Sequence, residues 1–170
     1  MRQGAHEDKY RHNQRVTTLK DYVRLDNINQ TFAAQGVPDD LDLLTIDVDG
    51  QEYWLWEALT DFSPRVLLLE YNSSLPDDEP LVEPRGRSGG WDGSDYGGAS
   101  IGALRRLAAS KGYRLVYQEM AGVNAFFVRD DQLASLGEII DFPRQPNISM
   151  VPGKGHPKDP LARSYVNLDD

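Results

Sequence analysis

Not one cysteine occurs in the 170 residues, which removes disulfides, thiolate metal sites and cysteine nucleophiles together. Histidine is nearly as scarce: His6, His12 and His156 have no metal-ligand spacing and fall in weakly patterned ends, so none is assigned a role. Basic residues are few, 18 Lys and Arg against 27 Asp and Glu, and the net charge of -9 speaks against a phosphate-backbone binder. No nucleic-acid partner is expected. Long hydrophobic runs are also missing. The longest, such as Val66 to Leu69, cannot span a bilayer, and the first residues have no apolar core of a secretory signal. The expectation is therefore a protein without membrane association, in the cytoplasm. Serines occur without a nucleophile elbow or a matching histidine, which excludes the common hydrolase arrangement.

What is present is an ordinary globular composition, 39% hydrophobic and 26% charged, in a length that suits one domain with a real core. Residues 1–14 read as a polar N-terminal segment, 15–137 as an α/β domain and 138–170 as an extended C-terminal tail. Arg15–Leu19 alternates and is predicted as a short strand. Asp26 is predicted to cap a helix running to about Ala34, closed by Gly36 and Pro38. Leu43–Ile46 and Val66–Leu69 are continuous apolar runs, as strands buried on both faces of a parallel sheet are. A helix between them, with Leu55, Trp56 and Leu59 on one face, makes a right-handed crossover.

The stretch 73–99 is rich in proline, glycine and aspartate, too long for a plain connection and hence a lid or binding loop. Its Pro76–Pro80 cluster reads as solvated. Ser100 then caps an amphipathic helix whose apolar face is Ile101, Leu104, Leu107 and Ala108, closed by Gly112. Tyr113–Gln118 and Val123–Arg129 follow as an antiparallel hairpin.

Candidate site residues gather where the predicted parallel strands end. Asp47 and Asp49 end the first, and Glu70 and Asn72 the second, at the carboxyl edge where open α/β sheets bind ligands. Carboxylates there can orient a ligand, take a proton from a hydroxyl or hold a divalent ion; they can equally fix turns and loops. Glu52 suits the first turn of a helix as well as it suits a site. Trp91 and Tyr96 lie in the glycine-rich loop, where they can pack on an acceptor or anchor the loop.

The string Leu25-Asp26-Asn27-Ile28, then Asp42-Leu-Leu-Thr-Ile-Asp47-Val-Asp49-Gly50-Gln-Glu52, then Val66-Leu-Leu-Leu-Glu70, resembles the FkbM-type family of class I S-adenosylmethionine-dependent methyltransferases. The closing helix and hairpin, 102–129, resemble that family's last elements, in which the final strand inserts antiparallel beside the preceding parallel one. Thr45 and Asp49 depart from the lysine and glutamate usual in its central string. The resemblance implies a partial Rossmann-like sheet and S-adenosylmethionine as cofactor, with Asp26, Asp47 and Asp49 on the cofactor side. Asp47, Glu70 and Asn72 would be catalytic, and Trp91 and Tyr96 would meet the substrate. Its activity would be O-methylation of a small-molecule or sugar hydroxyl. Gly4 is the only glycine before Gly36, so no Gly-x-Gly turn precedes Leu25, and the chain is expected to start near the end of the family's second strand. A non-catalytic interaction module therefore stands as the alternative, self-associating through an exposed sheet edge.

Overall fold

A computed structural model describes residues 15–87, 90–119, 121–137 and 156–170. The N-terminal segment 1–14, with His6 and His12, and the first part of the tail, 138–155, lie outside the described residues. Within them the chain is α/β. The elements run α1 (Ile28–Ala34), β1 (Leu43–Ile46), α2 (Glu52–Ala58), β2 (Val66–Glu70), β3 (Leu81–Val82), α3 (Ile101–Lys111), β4 (Tyr113–Gln118), β5 (Asn124–Arg129), a 3-10 turn (Asp130–Ser135) and β6 (Val166–Asn167).

Four strands form one sheet in the order β1-β2-β5-β4. β1 and β2 pair in parallel, Leu43 beside Val66 and Ile46 beside Leu69. β5 inserts antiparallel between β2 and β4, with Glu70 opposite Asn124 and Tyr113 opposite Arg129. The predicted strand-helix-strand crossover and the hairpin are both present, the hairpin with an irregularity between Leu115 and Tyr117.

The helices α2 and α3 cover one face of this sheet. Leu67, Leu69, Ala125 and Phe127 point to that side and are all fully buried. Trp56 anchors the layer, its ring 5.3 Å from Phe127 and 5.7 Å from Tyr113. Each of the leucine and phenylalanine side chains contributes about 1.5–3 kcal/mol by leaving water. The face expected to carry only Leu55, Trp56 and Leu59 is wider, because Tyr53 and Trp54 are buried as well. On the other face Leu68 and Phe126 are only half-buried and Leu43 is exposed, so β1 and β2 are not covered equally on both sides. No strand pairs with the outer edge of β1 among the described residues.

Ser100 caps α3 as expected, its hydroxyl accepting from the Ala103 N–H, and Gly112 closes that helix with φ +76°. Two other local expectations fail. Arg15–Leu19 is exposed and forms no strand, although the outer edge of β1 is free among the described residues. Asp26 does not cap α1. Asn27 occupies the cap position, and the Asp26 carboxylate accepts from Arg24 Nε at 3.0 Å instead.

The long segment 73–99 is tied down rather than loose. β3 within it pairs with β6 of the tail, and the Asp95 N–H donates to the Pro157 carbonyl at 2.8 Å. The tail, expected as a separate extended segment, returns over residues 156–170 to pack on this loop. Gly102 shows how close the packing is: a Cβ there would lie 2.5 Å from the Asp77 carbonyl oxygen.

Candidate functional site

β1 and β2 end side by side, so Asp47 and Glu70 leave the sheet at neighbouring positions. Asp49 follows with φ +57°, an uncommon conformation for a residue with a side chain, and Gly50 has φ +138°. Glu52 enforces this turn. It is 2% exposed, and one carboxylate oxygen accepts from both the Val48 and Gly50 N–H groups at 2.9 Å. From the other side the buried Glu83 carboxylate, paired with Arg87 at 3.1 Å and hydrogen-bonded to Gln51, sits against Gly50. A Cβ at that position would lie 2.8 Å from Glu83 Oε1, so only glycine fits.

Above the turn lies a cavity of about 520 Å³. Asp49, Gly50, Glu52 and Glu70 line its floor; Tyr71, Asn72 and the β4–β5 turn, including Glu119 and Gly122, form one side. The long loop supplies Trp91, Asp95 and Tyr96, and His156 arrives from the tail. A pocket of this size suits a small molecule.

The electrostatics of the floor are set by carboxylates facing one another. Glu70 is pushed up to about 7, chiefly by burial, then by the negative charges of Glu52, Asp47 and Asp49, and finally by a hydrogen bond shared with Asp47. Glu52 is also raised, with burial dominant and its backbone N–H partners opposing the shift. Carboxylate oxygens of Asp47, Asp49 and Glu70 lie within 4.8 Å of one another, close enough for a divalent cation to bridge.

The structure therefore brings Asp47, Asp49, Glu52 and Glu70 together, as their positions in the sequence imply. It separates Asp26, which is exposed and does not line the cavity. Asn72 reaches the cavity wall, but its amide is committed to the loop: Nδ2 donates to the carbonyls of Asp95 (2.8 Å) and Gly97 (2.9 Å), and Oδ1 accepts from Ser74 N–H at 2.9 Å. Its proposed catalytic part thus gives way to holding the roof.

Tyr96 is also an anchor rather than a lid. It is 3% exposed, its hydroxyl donates to the Ser164 carbonyl, and its ring lies between the guanidinium groups of Arg87 and Arg163, at 5.4 and 4.2 Å. Trp91 keeps the expected position: it is 47% exposed, its indole N–H donates to the Ser94 carbonyl at 2.7 Å, and its ring meets His156 edge-on at 4.7 Å.

Sequence reasoning passed over Glu83, Glu119 and His156. Glu83 follows the Pro76–Pro80 cluster, where a buried acid is unexpected; the only local sign was Arg87 four residues on. His156 comes to the cavity only because the tail folds back. Among known proteins, no family model, no curated sequence and no solved structure matches this chain.

Proposed function

We propose that this chain carries the acceptor side of a methyl-transfer domain of the class I methyltransferase type, and that Glu70 receives the proton released by the acceptor. The observation that carries the reading is Glu70 itself, a carboxylate held near neutrality in a cavity at the carboxyl edge of two parallel strands. A base is most effective when its pKa lies near the working pH. Two features support the type of domain. β5 runs antiparallel directly beside β2, which is the placement the family resemblance implies, and the Asp47–Glu52 string forms the tight turn at the cavity floor.

Of the residues implied for S-adenosylmethionine, Asp47 and Asp49 fit a place beside the cavity, whereas Asp26 does not. That cofactor would supply the methyl group. What the described residues do is bound the acceptor on three sides, fix the turn through Glu52 and Glu83, and accept a proton from an O–H or N–H at the Glu70 carboxylate.

Calorimetric titration with S-adenosylhomocysteine tests the reading. Saturable micromolar binding that weakens about tenfold in Asp47→Ala is the expected result. A folded chain that does not bind it overturns the proposal. If that same chain sediments as a dimer, the free edge of β1 and the exposed Leu43 and Val48 beside it favour an interaction module instead.

A further inference from the structure

The cavity has walls of two chemical kinds, and together they select a ligand. One kind is anionic. Asp49, Glu52, Glu70, Asp95 and Glu119 line it, with the basic side chain of His156 also in the lining, and among the described residues no lysine or arginine does. Asp95 has a cation of its own, Lys158 at 2.8 Å, and Glu52 has its two backbone N–H donors. Among the described residues Glu70 and Asp49 have no ion pair with a lysine or arginine; Glu70 shares a hydrogen bond with Asp47, and the Glu119 carboxylate accepts from Asn124. Carboxylates this close, partly shielded from water, generate a field that repels phosphate and carboxylate ligands and attracts positive charge.

The second kind is aromatic. Trp91, 47% exposed, offers its ring to the same space; Tyr71 and Tyr96 also line it but are buried, and the Tyr96 ring already meets two guanidinium groups. The Trp91 indole N–H is already taken by Ser94, so the surface it offers a ligand is the ring. Ring surface does nothing for a bare metal ion, which takes oxygen ligands throughout. A neutral polyol leaves the carboxylates without a counter-charge. An ammonium group on an apolar body answers both walls at once, through its charge at the carboxylates and its body and cation–π contact at the Trp91 ring.

We infer that this cavity takes a small organic ammonium compound, an alkyl or aryl amine, with its nitrogen at Glu70 and its carbon body against Trp91. The inference rests on reading the cavity as the acceptor pocket and names the class of acceptor.

The test compares three molecules of one shape by calorimetry on the intact chain: phenethylamine, 2-phenylethanol and phenylacetate. Phenethylamine is expected to bind at least about tenfold more tightly than the alcohol, with no binding of the acid. Glu70→Gln, which keeps the shape and removes the charge, is expected to abolish that preference. Trp91→Ala, at a half-exposed position, is expected to weaken phenethylamine by about three- to tenfold. Equal binding of amine and alcohol overturns the inference, as does an amine affinity indifferent to Glu70→Gln, or no amine binding by the folded chain. Calcium that binds and excludes phenethylamine overturns it in favour of a metal site.

Titration with S-adenosylhomocysteine separates this inference from the previous one. Amine selectivity without S-adenosylhomocysteine binding removes methyl transfer and leaves the ammonium site standing. S-adenosylhomocysteine binding without amine selectivity does the reverse.

Discussion

The two ends of the sheet carry the same kinds of acidic residue and treat them in opposite ways. Where β1 and β2 begin, acids meet arginines. Arg65 pairs with Asp40 at 2.8 Å and Asp42 at 2.6 Å, and Arg129 pairs with Asp40 at 2.8 Å and Asp131 at 2.7 Å while also donating to the Ser63 carbonyl. Asp40 and Asp131 are held below their ordinary range, Asp131 at about 2, in both cases first of all by the hydrogen bond from Arg129. Where the same strands end, Asp47, Asp49, Glu52 and Glu70 face each other without a guanidinium, and Glu70 rises to about 7. Acids that are paired close a structure. Acids that are left unpaired around a cavity keep a charge available for something else.

The contrast is broken most strongly by disturbing, at one end only, the start of the long loop whose later residues line the cavity. Gly102→Ala forces a Cβ to within 2.5 Å of the Asp77 carbonyl and must displace the 73–80 backbone. It is expected to lower stability by about 1–3 kcal/mol in denaturant melts, and to weaken phenethylamine, while the Arg129 cluster is unaffected.

A smaller effect sharpens the contrast. Unfolded, Glu70 ionises at its ordinary 4.5; folded, it does so near 7. Between those values the folded chain holds the extra proton, so stability falls as pH rises through that window. Glu70→Gln removes this loss. It is expected to raise Tm by about 2–4 °C at about pH 8 and to change it little below about pH 4.5. An equal gain at both pH values would show that the carboxylate repulsion is not what is relieved.

The smallest effect belongs to the paired end. Arg65→Gln leaves Arg129 on Asp40, and the Arg65 side chain is well exposed. A slight fall in Tm that shrinks further on adding salt is expected.

The sequence made the parallel strands, their crossover helix, α3 with both its caps and the hairpin legible, because each rests on a strong local signal: unbroken apolar runs, Ser100 before a 3.6-residue period, and glycines past helix ends. It also placed Asp47, Asp49 and Glu70 correctly at one edge, since the ends of neighbouring parallel strands must meet. What it did not show depends on distant partners. Arg15–Leu19 has the alternation of a strand but stays exposed and joins neither outer edge of the sheet. Asp26 reads as the cap of α1, but Asn27 takes that position, and both side chains bond Arg24 rather than the helix. Asn72 and Tyr96 read as site residues until their partners in the loop and the tail are seen. Glu83 looked like one more acid of a solvated loop, yet it holds Gly50 and Arg87 and is 1% exposed.

The return of the tail also sets an order of events. Tyr165 reaches Asn72 across 93 residues of chain, and β6 completes β3 from nearly as far. Contacts of that separation are closed late, after the local helices and the hairpin have formed. The loop that carries Trp91 and Tyr96 is made before β5 completes the sheet, yet the partners that tie it down, Pro157, Ser164 and Tyr165, lie beyond the last strand of that sheet. The cavity therefore takes its final form only when residues 156–170 have come back to the loop.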